Sequence, residues 1–392
     1  MRWCFVQRTI SDIGHLFEPL EDAIRDKFIP AVVGRTVSDI ERRILALPVR
    51  FGGMGIQNPV EIADIERSNS VRITETLKNI ICNQERNFEN LNEELVRETI
   101  NLTKQEKENR LMQEFEYIKS QVNVNLKRSL DLAREKGAGS WLTALPIQAL
   151  GYVLNKQDFR DSLCLRYGWR VPNTPLFCCC KQKNDVDHAL SCKKGGYVSF
   201  RHNRIRDLEA DMLKDVCKDV RIEPDLLPVE NAEVESSKLA LKSRLDVSAV
   251  GIWSPMERTF LDVRVVHPNA PSYREKTIDK IYDQHEKEKK RAYNQRVMQI
   301  ERATFTPLVF STTGGMAPEC TRYHKKVAEL ISIKTREDYS KVMSYIRTRV
   351  RFTLLKSTLL ALRGERGRPR KAVTNMSELS FNTVADMQSY EV

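Results

Sequence analysis

No uninterrupted apolar stretch approaches the about 20 residues that a membrane-spanning helix requires, so a membrane protein is not expected. The opening MRWCFVQRTISDIGHLFEPLED has no apolar h-region and no small-residue cleavage site, which argues against secretion. No internal repeat is present. Glycine and proline are both missing from Glu61 to Lys136. A stretch of that kind, rich in Glu, Lys, Asn, Leu and Ile, is expected to form long helices. Polar runs such as NQERNFENLNEELVRETINLTKQEKENR leave only one modest apolar face. This helical arm reads either as a solvated spacer or as a surface that grips RNA.

What is there is a chain of 392 residues, long enough for two or three domains. Apolar residues make up 41% and charged ones 30%, a balance that permits a packed core and argues against wholesale disorder. Lysine and arginine number 64 against 53 aspartates and glutamates, a formal charge of +11 that favours polyanionic partners such as nucleic acid. The nine cysteines are an odd number in a basic chain with no secretory signal. They read as reduced thiols plus a metal site, not as a disulfide framework.

Along the chain, Ser38 is a good N-cap with Glu41 as its capping-box partner, and Gly52-Gly53-Met54-Gly55 closes the helix that follows. Residues 141–170 look helical again. Phe200 to Val220 reads as an amphipathic helix through Ile205, Leu208, Met212, Leu213 and Val216. KSRLDVSAVGIW and RTFLDVRVVHP flank the turn-rich SPME and are expected to pair as an antiparallel hairpin. A polar helix is predicted over Tyr273–Arg302, then a strand, TFTPLVFST, and two helices over 318–333 and 336–363. Residues 364–392 are polar and aperiodic, hence expected to be disordered.

Two groups of residues carry chemistry. Cys178, Cys180, His188 and Cys192 are spaced C-x-C-x7-H-x3-C, which can wrap one tetrahedral zinc ion. Cys179 could replace either neighbour, and an inert buried cysteine cluster is the alternative. With four protein ligands the site would be structural, folding a knuckle too small to build its own core. His202 reads as a hydrogen-bonding residue of the next helix. The second group lies on the hairpin, where strand alternation puts Asp246 and Asp262 on paired strands among apolar neighbours. Facing carboxylates repel, and a Mg²⁺ ion between them removes the repulsion. Two edge aspartates facing solvent are the alternative. Arg264 shares the face of Asp262 and could stabilise charge but not act as a base. Glu286, Lys289, Lys290 and Tyr293 form one stripe on the following helix. It is either a source of a catalytic lysine or a solvated salt-bridge stripe.

Several of these segments together resemble a known family. LPVRFGGMGIQNP, WLTALPIQALGYVLNKQDFRDSLCLRYGWR and CCCKQKNDVDHALSCKKGGYVSFRHNRIRDLEADML are similar to the C-terminal part of retrotransposon polyproteins. So are SRLDVSAVGIW, RTFLDVRVVHPNAPSY, EKEKKRAYNQRV and FTPLVFSTTGG. The family is the reverse-transcriptase proteins of retroelements that carry a restriction-like endonuclease, and the likeness spans almost all of residues 1–363.

The resemblance implies an α+β protein whose N-terminal region is all-helical. Residues 1–60 would be a thumb and linker remnant of the reverse transcriptase and 61–170 a helical arm and linker. A CCHC zinc knuckle would occupy 171–200 and a PD-(D/E)xK restriction-endonuclease-like α/β domain 201–363. Asp246 and Asp262 match the motif's acidic pair. Arg264 stands where the lysine often is, so Lys289 or Lys290 is the expected substitute, with Tyr293 beside it, and Glu209 matches an extra acidic residue. The implied activity is Mg²⁺- or Mn²⁺-dependent nicking of a DNA target that primes reverse transcription, in the nucleus, with the element's RNA as a further partner. The rival is a non-catalytic nucleic-acid-binding zinc protein with a degenerate nuclease core. The aspartate pair of a polymerase palm is missing from the sequence, so polymerisation by this chain is not expected.

Overall fold

A computed structural model describes residues 2–84, 93–227 and 244–364. The predicted disordered tail, beyond Gly364, and the first residues of KSRLDVSAVGIW lie outside them. The chain divides into two compact units, Met1–Arg134 and Glu135–Val392.

The first unit is helical throughout its described residues. Helix α1 (Arg2–Thr9) is followed by α2 (Glu18–Ala23), which runs through a π-helical turn at Ile24–Phe28 into α3 (Ile29–Val33). Next come α4 (Asp39–Ala46), α5 (Pro59–Cys82), α6 (Glu93–Gln121) and α7 (Val124–Ala133). The capping box at the start of α4 is present: Ser38 Oγ accepts from the Glu41 N–H while the Glu41 carboxylate accepts from the Ser38 N–H. The LPVRFGGMGI stretch folds back over the end of that helix, with the N–H groups of Met54 and Ile56 donating to Leu45 O at 3.3 and 3.1 Å. At Gly53 the backbone passes so close that a Cβ would lie 1.9 Å from Leu47 O, so only glycine fits. Arg42, nearly fully buried, anchors the same turn through a bidentate pair with Glu21 at 2.7 Å and a bond to Ile56 O at 2.7 Å. The long helices bury little: on α6 only Thr103, Phe115 and Ile118 are fully covered among the described residues.

The second unit is α+β. Short helices α8 (Ser140–Thr143), α9 (Lys156–Tyr167) and α10 (Val186–Ser191) precede a long one, α11 (Tyr197–Lys214). Then follow β1 (Lys218–Ile222), β2 (Val247–Val250), β3 (Arg258–Val266), α12 (Ile278–Gln299), β4 (Thr304–Ser311), α13 (Pro318–Thr335) and α14 (Tyr339–Arg363). The four strands form one mixed sheet in the order β1-β2-β3-β4. The first two pairings are antiparallel and β3–β4 is parallel, with α12 as the crossover. One face of the sheet packs on α11, α13 and α14 through Ile205, Met212, Val247, Leu261, Val263, Leu308, Tyr323 and Ile346, all essentially without exposure. The other face packs Phe260, Phe305 and Val297 beneath α12.

Two sequence expectations change here. Residues 141–170 are not one helical region: Pro146 and Gly151 interrupt it, and α9 begins only at Lys156, capped by Asn155. The helix expected to reach Val220 ends at Lys214, because Lys218–Ile222 pairs with β2 as an edge strand. Both faces of that strand are largely exposed, so it carries no apolar alternation by which to read it.

Glu135 opens the second unit with a buried carboxyl. Tyr282 Oη donates to it at 2.6 Å, and the hydroxyls of Thr313 and Ser311 lie at 3.3 and 3.4 Å. Gly315 leaves room for it, since a Cβ there would meet Glu135 Oε1 at 2.0 Å. Burial, opposed by these three hydrogen bonds, pushes the Glu135 carboxyl up to about 7.

Two outcomes follow. Gly53→Ala should lower stability by at least about 2 kcal/mol, read as a shifted urea midpoint. For Glu135 the folded protein holds the proton more tightly than the unfolded chain, so stability falls as pH rises from about 4.5 to about 7 and is flat beyond. Glu135→Gln should remove that slope, leaving the variant more stable than wild type by up to about 3 kcal/mol at pH 8 and similar to it near pH 4.5. Urea titrations across that range check it, and a wild-type slope unchanged by the substitution would contradict it.

Candidate functional site

Asp246 sits one residue before β2, where the ladder to β3 begins with its own N–H donating to Leu261 O at 3.1 Å. Its side chain extends that ladder: Oδ2 accepts from the Val263 N–H at 2.6 Å. Oδ1 faces His202 Nε2 of α11 at 2.9 Å. Burial pushes this carboxyl up, but His202 and the Val263 N–H more than compensate, and the net shift is downward.

Asp262 lies on β3, opposite Pro307 of β4, and is 6% exposed. Its carboxyl and that of Asp246 act on each other electrostatically. Burial pushes its carboxyl up to about 6, the neighbouring Asp246 adding to the effect and Lys289 opposing it. Lys289 Nζ of α12 approaches Oδ2 at 2.5 Å, yet that buried oxygen receives no aligned hydrogen bond. Tyr293, one turn along α12, stacks beside Phe305 with ring centroids 5.7 Å apart and has Lys289 Nζ 5.7 Å from its own ring centre.

The remaining predicted residues divide. Lys290 turns away from the aspartates and pairs with Glu319 of α13 at 2.8 Å. Arg264 is exposed, and after burial its charge is the main influence holding the His285 imidazole below its ordinary range. Glu209 has no exposure, and its two oxygens face His324 Nε2 at 3.0 and 3.2 Å in a buried pair. The structure thus brings together Asp246, Asp262, Lys289 and Tyr293, and commits Lys290 and Glu209 to other partners. His202 enters the group as the direct partner of Asp246, a role that strand spacing does not reveal.

The cysteine cluster is a separate centre. A tight turn, closed by the Cys178 N–H to Gln182 O at 3.0 Å and the bridge Phe177–Lys183, brings Cys178 and Cys180 together. Asp185 caps α10 by accepting from the His188 N–H at 2.8 Å, which sets His188 and Cys192 one turn apart. Ligand atoms of Cys178, Cys180, His188 and Cys192 all lie within 4.8 Å of one another. Cys180 Sγ is 3.2 Å from His188 Nε2, and Cys178 Sγ is 3.8 Å from Cys192 Sγ. Cys179 stands outside this set of four, its Sγ 3.8 Å from that of Cys178. Burial raises the Cys178 thiol, but the Cys180 N–H and His188 bring it down to about 6. Burial and the Cys178 sulfur beside it push Cys192 up to about 11, as expected where a second thiolate must form next to a first. This Cys₃His set could hold zinc, whose double positive charge would favour all three sulfurs as thiolates.

A third network ties the knuckle to the sheet. Asp187, next to His188, accepts from Arg274 Nη2 at 3.0 Å and lies 2.9 Å from His267 Nε2, while His267 Nδ1 is 2.9 Å from Thr312 Oγ1. Neither His267 nor Asp187 stands out in the sequence, because the contact joins residues far apart along the chain.

Among the described residues no helix is long and apolar enough to cross a membrane. No protein-family model matches the chain, and no curated protein matches it.

Zinc content is the direct check on the knuckle. Mass spectrometry of the intact protein should find about one zinc per chain, and Cys192→Ser or His188→Ala should abolish it and lower the melting temperature. Full zinc retention in both variants would mean that these residues are not the ligands.

Proposed function

We propose that the second unit is a metal-dependent endonuclease of PD-(D/E)xK type that nicks DNA, accompanied by a zinc knuckle. The observation that carries this reading is the pairing of Asp246 with Asp262 beside Lys289, with one buried Asp262 oxygen lacking an aligned donor. The topology is compatible with it: a helix, an antiparallel hairpin and a parallel strand–helix unit set both aspartates on neighbouring strands. A Mg²⁺ or Mn²⁺ ion suits this donor set, because hard cations take carboxylate oxygens and two adjoining carboxylates repel without one. Asp246 and Asp262 would hold it. When bound, such an ion supplies a nucleophilic water and stabilises charge on the phosphodiester.

The chain's own residues do the rest. The Val263 N–H and His202 fix the Asp246 carboxylate in its ionised form. Lys289 places a cation at the carboxylates without occupying the strand position of Arg264, and can stabilise developing negative charge. Tyr293 lies beside the lysine, its ring centre 5.7 Å from Nζ. Basic side chains elsewhere supply phosphate contacts, which makes binding steeply salt-dependent. The likeness to retroelement endonucleases extends the reading to nicking of a chromosomal target in the nucleus to prime reverse transcription, with the element's RNA as a second ligand. Arg264 at the usual lysine position is the feature that favours the rival, a nucleic-acid-binding zinc protein without chemistry. Lys289 beside Asp262 weighs against it.

Nicking of supercoiled plasmid with Mg²⁺ or Mn²⁺ separates the two. Wild type should convert it to open circles, Asp246→Ala should be inactive, and Lys289→Ala should be slower by about 10²–10³-fold while retaining zinc. Arg264→Ala should stay within about threefold of wild type, since that side chain is exposed and pairs with neither carboxylate among the described residues. Wild-type protein that binds DNA but never nicks it would hand the case to the rival.

A further inference from the structure

On the far side of α11 from the aspartates lies a cleft of about 530 Å³, formed by α11, α14 and the segment around Tyr152. At 3.6 residues per turn, His202 and Glu209 project from one face of α11. Phe200, Arg204 and Leu208 project from the opposite face, into the cleft. On α14 the lining positions Arg349, Phe352 and Lys356 recur at helical spacing.

Arg204, Arg349 and Lys356 make no ion pair among the described residues, although carboxylates are near. Asp207 is bonded to Arg206 at 2.9 Å and Asp211 to Lys214 at 2.9 Å. Burial, with Asp161 beside it, pushes the Asp158 carboxyl up and so weakens its hold on a cation. Partial burial and the neighbouring Arg204, opposed by Asp158, hold the Lys356 amine below its ordinary range. The wall between these cations is apolar and aromatic. Tyr152, 9% exposed, stacks on Phe352 with centroids 4.7 Å apart.

We infer that this cleft binds a nucleotide unit of single-stranded nucleic acid, its phosphate among Arg204, Arg349 and Lys356 and its base against the Tyr152–Phe352 wall. Cations alone would serve any anion. The apolar, aromatic wall adds a preference for a ligand joining phosphate to a flat group. The volume falls within the about 300–1,000 Å³ usual for such sites. The inference stands apart from the nuclease reading, since it uses none of that site's residues and needs no cleavage.

The test is fluorescence anisotropy of a labelled oligodeoxythymidylate with the zinc-loaded full chain, without added magnesium. Arg349→Glu/Lys356→Glu should weaken binding at least tenfold, as an estimate on the order of two lost phosphate contacts, and flatten the salt slope by about 1.4. The same change of charge at exposed Lys78 and Lys104 should alter affinity by less than about threefold. Thymidine monophosphate should compete better than inorganic phosphate. Equal loss in the two double variants, or equal competition by phosphate alone, would overturn the assignment. Circular dichroism melting of each variant establishes that it is folded, and failure of plasmid nicking would leave this result untouched.

Discussion

The 2.6 Å hydrogen bond from the Val263 N–H to Asp246 Oδ2 is the contact on which the carboxylate site is built. It works because β2 starts one residue later, so the side chain of Asp246 takes the acceptor position that the backbone would otherwise fill. The acid is thereby locked to β3, the strand that also carries Asp262. Strand pairing, not loop geometry, sets how far apart the two carboxylates can be, and it does so to within the tolerance of a sheet ladder. Burial then drives their protonation equilibria apart: Asp246, with His202 and a backbone donor, stays ionised, while Asp262 retains a proton up to about pH 6. Two acids in one pocket take different roles because only one of them has aligned donors.

This arrangement is a strained one for the folded chain. Asp262 sits where an apolar residue would pack, between Phe260 and the strand partner Pro307, and its charge is countered by a lysine that is not aligned to bond it. Glu209 makes the contrast. Buried still more deeply, it is matched by His324 with two short contacts, and such a completed pair needs nothing further.

How much of this could be read from the sequence follows from the range of each interaction. Periodicity and caps are local, so Ser38 with Glu41, the hairpin partners around Asp246 and Asp262, and the two final helices are legible within a few residues of each other. The Cys/His spacing is local as well, although spacing alone leaves Cys179 interchangeable with its neighbours, and only the fold of the tight turn groups Cys178 and Cys180 with His188 and Cys192. The edge strand Lys218–Ile222 is not legible, since nothing packs on either of its faces strongly enough to impose alternation. Lys289 and Lys290 are equivalent in sequence. Only the roughly 100° turn per helical residue, set against the sheet, sends one to Asp262 and the other to Glu319. His202, His267 and Glu135 are partners across long separations, and no pattern in one segment can name a partner in another.

The knuckle and the sheet are joined in a way that makes their folding a single problem. Asp187 lies between the ligand His188 and two basic partners, His267 and Arg274, which follow the end of β3. His267 in turn meets Thr312, just past the end of β4. Three segments that diverge at that end of the sheet are therefore pinned by one imidazole with both nitrogens engaged. A metal ion that ordered α10 would order Asp187 with it, and through His267 would hold β3 and β4 in their parallel register. Asp262 lies within that register, opposite Pro307. The energy of closing a small cysteine centre is thus available, through two hydrogen bonds and a strand, to keep a costly carboxylate in place.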